Sequence, residues 1–176
     1  ASHKNIAPAL RAFQKWELNY NVKMRTTEKT VFSFEYGFAG TLDVDADLIL
    51  PSGADVLRYI NDFKTGARDP RHVLQLAAYV VANEEMTQTK MDGGGLVYLD
   101  AATGTPRWKG YTRDELEGPF RLFLLIKEFC DLETEWKKKE PDEGEPSEAA
   151  TLPPNPFIPA DSPPAENAPD GFPSSF

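Results

Sequence analysis

Asp62 and Lys64 lie two residues apart in Asn61-Asp62-Phe63-Lys64-Thr65-Gly66, at the end of an apolar stretch. In a strand, side chains alternate between faces, so this acid and this base point the same way. A carboxylate and an ammonium paired at a strand end suit a metal ion beside a phosphate. Two further patterns flank them. Gly40-Thr41-Leu42-Asp43 upstream supplies a second carboxylate, and Gln75-Leu76-Ala77-Ala78-Tyr79 downstream carries an amide and a phenol four residues apart. One helical turn would place Gln75 and Tyr79 on the same side.

These residues need elements to position them. Pro8 suits the first turn of a helix over 8–20, with Leu10, Phe13 and Trp16 or Leu18 as its apolar stripe. Residues 29–38 alternate, with Phe32, Phe34, Tyr36 and Phe38 on one face, which predicts a half-buried strand whose aromatic row joins the core. After a break at Gly37–Gly40, Leu42, Val44, Ala46 and Leu48 alternate with Asp43, Asp45 and Asp47 in a second strand, and 55–64 form a third. Asp69-Pro70 predicts the start of a helix over about 70–86. Gly93–Gly95 open a short apolar strand, a weaker strand follows near Pro106–Lys109, and Thr112 with Glu115 makes a capping box. A long helix from Pro119 to about Lys139 should turn Leu122, Phe123, Ile126, Phe129, Cys130 and Trp136 to the core. The order α-β-β-β-α-β-(β)-α predicts an α/β domain, a mixed sheet flanked by helices.

The 176 residues suffice for one ordinary domain. The net charge of −9 is uneven: eight of the 28 acids and none of the 19 bases lie in 140–176, leaving 1–139 with 20 acids against 19 bases. Near-neutrality of that domain neither supports nor excludes a polyanionic partner, which local patches decide. Ten of the fifteen prolines also lie in 140–176, and no apolar period runs through it. The expectation is a domain over 1–139 and an acidic, Pro-rich disordered tail over 140–176. Phe157, Phe172 and Phe176 in the tail favour docking on a protein partner over charge mimicry in the domain's own DNA channel. A single cysteine excludes an internal disulfide or a four-cysteine cluster. No apolar run reaches membrane-spanning length, so no membrane partner is expected. The opening on Ala1 suggests a processed or trimmed N-terminus.

Taken together, Gly40…Asp43, Asp62-Phe63-Lys64-Thr65-Gly66 and Gln75…Tyr79 resemble the motifs of the PD-(D/E)XK nuclease superfamily, in its RecB-like exonuclease branch. The resemblance covers roughly residues 29–100 and is specific as an ordered set. It implies a metal-dependent DNA exonuclease working in recombination, repair or phage DNA processing, in the cytoplasm of a bacterial or phage-infected cell. Asp43 and Asp62 would ligate Mg²⁺ or Mn²⁺ with the Phe63 carbonyl, hard oxygen donors for hard ions. Lys64 would orient or deprotonate the attacking water. Gln75, Tyr79 and Thr65 would support the site or touch DNA. Members usually carry a further acid on a helix ahead of the strands. Here Glu17 or Glu35 fills that role, or the first helix of the core is incomplete and the fold survives as a weakened module for binding DNA or protein. A restriction-type endonuclease shares the core, but the Lys-Thr-Gly and Gln…Tyr patterns favour the exonuclease branch. The missing cysteine set separates the chain from members with an iron–sulfur cluster.

Other groups have plainer expectations. Asp45 and Asp47 read as solvated strand positions, His72 as a surface residue, and Lys137–Lys139 as a helix end complementing its dipole.

Overall fold

The computed structural model describes residues 6–51, 53 and 55–139; the predicted tail over 140–176 lies outside the described residues. The chain is α/β. Helix α1 (Ile6–Asn19) leads into strands β1 (Lys23–Ser33), β2 (Phe38–Ile49) and β3 (Val56–Lys64). Helix α2 (Arg71–Thr87), strands β4 (Gly93–Leu99) and β5 (Pro106–Thr112), a 3₁₀ turn at Asp114–Leu116 and helix α3 (Glu117–Lys139) follow. The strands form one mixed sheet in the order β1-β2-β3-β4-β5, antiparallel except for the parallel pair β3–β4. A parallel pair needs a crossover, and α2 is that crossover.

The two helices that flank the sheet take opposite faces. Phe63 packs on Phe13 and Trp16 of α1, at centroid distances of 5.5 and 5.3 Å. Its neighbours Ile60, Asp62 and Lys64 face the other way: Ile60 joins Leu76, Ala77 and Val80 of α2 in the core, and Lys64 bonds to Gln75. Period-two alternation in β3 thus assigns the aromatic residue to one layer and the charged pair to the other.

Several expectations need correction. β1 begins at Lys23, because KMRTTE is polar and an edge strand tolerates charge. It ends at Ser33, so the aromatic row does not form. Val31 and Ser33 are buried instead, Phe34 is 85% exposed, and only Tyr36 and Phe38 reach the core, against Phe120 and Phe123. The tight turn belongs to Gly37, whose φ is 64°. Gly40 lies inside β2. Asp45 is buried, its carboxylate gripped by Arg58 at 3.0 and 2.6 Å, and Asp47 pairs with Arg25 at 2.7 Å. In α3 only Phe120 is buried, with Phe123 and Leu124 half-buried against the core; Leu122, Ile126, Phe129, Cys130 and Trp136 are exposed.

The capping box is present as expected. The Thr112 N–H donates to Glu115 Oε2 at 2.7 Å, and the Glu115 N–H to Thr112 Oγ1 at 3.3 Å. At the start of α2, Asp69 Oδ1 accepts the Arg71 N–H at 2.8 Å and supplies the cap, with Pro70 at the boundary. Trp108, unremarked in the sequence, donates its indole N–H to the buried Asn61 at 3.0 Å. Gly95 makes room for it: a Cβ there would stand 2.3 Å from the indole nitrogen.

Candidate active site

The ladder between β2 and β3 runs as far as Val44↔Asn61, and the next residue on each strand is Asp43 and Asp62. Beyond that point Asp43 replaces ladder pairing with its side chain, its Oδ2 accepting the Phe63 N–H at 2.6 Å. One carboxylate oxygen is thereby anchored to β3. The two acids are close enough that the charge of Asp43 raises the pKa of Asp62.

Asp62 is only 3% exposed. Burial is the main cause that lifts its carboxyl above the ordinary value; Lys64 opposes, Asp43 adds to the rise, and His72 opposes weakly. Lys64 Nζ stands 2.5 Å from Asp62 Oδ2. That oxygen is nevertheless buried without a well-directed hydrogen bond. The ammonium is in close charge contact without the angles of a directed hydrogen bond. The oxygen is therefore buried and paired in charge with Lys64.

From Lys64 a chain of polar contacts runs along α2. Lys64 Nζ donates to Gln75 Oε1 at 2.9 Å, and Gln75 Nε2 donates to the Tyr79 hydroxyl at 2.8 Å. Burial raises the Tyr79 pKa, and the charges of Asp62 and Asp43 push it further the same way, while Gln75 and the Thr41 backbone N–H oppose. The chain ends beside β2, where the Tyr79 ring lies against Gly40, three residues before Asp43. Gly40 permits this contact, since a Cβ there would lie 2.5 Å from Tyr79 Cε1. The glycine marks close approach of a ring, not a break between strands.

Asp43, Asp62, Lys64, Gln75 and Tyr79 are therefore brought together, with Phe63 between the acids. Thr65, exposed after the end of β3, makes no side-chain hydrogen bond among the described residues. Glu35 is placed elsewhere. It lies exposed in the β1–β2 turn, its N–H directed to Glu85 near the far end of α2. Glu17 stays on α1, the helix that packs on the opposite face of the sheet from Asp62. Neither stands with the pair: among the described residues, no three of His, Cys, Asp and Glu are grouped to hold a metal ion.

Asp43 and Asp62 supply two carboxylates, the number that a hard divalent ion keeping several of its waters can use. Such ions take one or two carboxylates and fill the remaining positions with water and phosphate. Asp43, the unaligned Oδ2 of Asp62 and the Phe63 carbonyl would hold Mg²⁺ or Mn²⁺, which when bound supplies positive charge to a phosphate and acidifies water.

His72 was read as a surface residue and is part of the site. It is half-buried, its Nδ1 3.4 Å from the Tyr98 hydroxyl, near enough that a positive charge there would lower the Asp62 pKa. Tyr98 is buried on β4 opposite Lys64 in the parallel register. The signal in the sequence was the alternation Leu96-Val97-Tyr98, which puts Tyr98 on the face of Leu96. What the sequence lacked was the register that sets it beside Lys64.

Among the described residues, no helix is long and apolar enough to cross a membrane. Compared with known protein families and with curated proteins, the chain matches none.

Proposed function

We propose that this chain is a metal-dependent deoxyribonuclease of the PD-(D/E)XK superfamily, an exonuclease of the RecB-like branch that hydrolyses phosphodiesters with Mg²⁺ or Mn²⁺. Recombination, repair or phage DNA processing in a bacterial or phage-infected cell is its setting. One observation carries this reading: three short motifs from β2, β3 and α2 meet, in a continuous polar chain from Tyr79 through Gln75 and Lys64 to Asp62, with Asp43 alongside. An ordinary surface ion pair has no use for a buried acid, a second acid next to it and a hydrogen-bonded amide holding the base. In the proposed reaction Lys64 faces the attacking water and the phosphate. Gln75 and Tyr79 hold Lys64 in place.

The absence of a third acid beside the pair among the described residues favours a second reading, a catalytically weakened nuclease fold that binds DNA or protein. End-labelled linear DNA and circular DNA, each with and without Mg²⁺ or Mn²⁺, separate the two. Release of nucleotides from ends, with circles spared, is the expected result. Asp62→Ala and Lys64→Ala should each lower the rate by about 10²-fold or more. No cleavage with either metal leaves the binding module.

A further inference from the structure

Beside the carboxylate pair the sheet carries a second polar feature that no motif marks. Tyr98 on β4 stands opposite Lys64, and Lys109 and Tyr111 on β5 stand opposite Leu96 and Gly94. Two cations rest on these rings. The Arg68 guanidinium carbon lies 5.5 Å from the centre of Tyr98, and Lys109 Nζ lies 4.7 Å from the centre of Tyr111. Arg68, Lys109 and both tyrosines line one pocket of about 320 Å³. Arg68 and Lys109 make no ion pair among the described residues. The acid at the rim, Asp69, is spent on Arg71, whose guanidinium contacts both of its oxygens and holds its carboxyl far below the usual range.

Two like charges converging on one concavity repel each other, and the ring faces hold them there. A ligand that binds both must be an anion with several acceptor oxygens, and a phosphodiester meets that need. The pocket adjoins the acids, because Tyr98 and Leu96, which line it, stand opposite Lys64 and Asp62 in the parallel register. Neighbouring strands lie about 4.8 Å apart, so Lys109 stands roughly 10 Å across the sheet from β3. That separation suits the next phosphate along the same strand.

We propose that Arg68 and Lys109 form a phosphate subsite for the nucleic-acid backbone flanking the reacting phosphodiester, with Tyr98 and Tyr111 as positioning residues for the two cations. The subsite rests on the nuclease reading for its place in the reaction, but its binding is measurable without cleavage. The test uses the full chain and a dye-labelled single-stranded oligonucleotide in metal-free buffer, followed by anisotropy over a range of salt concentrations. Arg68→Ala and Lys109→Ala should each weaken binding by about tenfold, the effect of losing one charged hydrogen-bonding group. Each should also reduce the salt slope by about one. Thermal unfolding should be unchanged, because both side chains are exposed. Arg68→Lys should lose less affinity than Arg68→Ala, because it keeps the charge but not the planar fork.

A double variant that binds with wild-type affinity and slope overturns the subsite, as does a wild-type chain that binds no oligonucleotide. Displacement of the oligonucleotide by an equal concentration of inorganic phosphate would assign the pocket to free phosphate and overturn the strand-backbone assignment. The two proposals fail separately. A chain that cuts DNA while its double variant binds unchanged loses the subsite alone. One that binds through the pair but cuts nothing loses the nuclease reading alone.

Discussion

Asp62 holds a carboxylate where water scarcely reaches it, and pH acts on the fold through that fact. Its folded pKa lies above the ordinary 3.8, because burial outweighs the pull of Lys64. Between the two values the native state binds more protons than the unfolded chain, so the Asp62 contribution to stability falls as pH rises through that window. Asp62→Asn should therefore be more stable than wild type at neutral pH, and the difference should shrink on acidification toward 3.8; urea unfolding across pH measures it. A variant less stable than wild type at pH 7 would mean that the Lys64 contact outweighs desolvation. Asp45 makes the opposite case. Its carboxylate is satisfied on both oxygens by Arg58, so Asp45→Ala strands a largely buried guanidinium and should cost about 3 kcal/mol. Arg25→Ala, which frees Asp47 from an exposed partner, should barely move the urea midpoint. The sequence set Asp43 apart by its motif but could not tell Asp45 from Asp47, both read as solvated. Asp43, Asp45 and Asp47 share one alternation, and only the positions of Arg58, Arg25 and the Phe63 N–H give each a different task.

Among the elements, the strands nearest the site were the most legible. β3 and β4 are apolar runs closed by turn residues, and their bounds fall within a residue or two of those expected. Where β1 starts was hidden, because an edge strand has no need of an apolar period. Gly40 was misread because a glycine in a strand signals either a turn or a close approach, and local sequence does not say which. Its neighbour comes from 39 residues away. Gly40→Ala tests that assignment: the new methyl would meet the Tyr79 ring at 2.5 Å, so either β2 or the ring must shift. The expected cost is about 1–3 kcal/mol in urea unfolding. A larger proportional loss should appear in DNA cleavage than in stability, since the displaced ring carries the Gln75–Lys64 chain. A variant with wild-type midpoint and wild-type rate would remove Tyr79 from the site.

For the molecule as a whole, the layers could be anticipated and the reach of the core could not. Apolar residues at helical spacing in α3 looked like a buried stripe, but a stripe is buried only as far as there is something beneath it. Leu116 and Phe120 lie over the sheet with Tyr36 and Phe38; past Leu124 the apolar side chains of the helix are exposed. Its last four turns stand on local bonds, the pairs Lys127–Asp131 and Glu133–Lys137 and the Thr134 hydroxyl on the Cys130 carbonyl. Pairs of that kind add only about 0.2–0.5 kcal/mol each, and an isolated stretch that short is marginal in water. The helix should therefore be graded along its length when amide protons are exchanged for deuterium. Amides near Phe120 should exchange only on global unfolding, while those from Phe129 onward should exchange through local opening, orders of magnitude sooner. Phe129→Ala should then leave global stability nearly unchanged, whereas Phe120→Ala should cost about 3 kcal/mol. Uniformly slow exchange along α3 would show instead that its outer face is covered in solution, and that the same helix is rigid for a reason lying outside this domain.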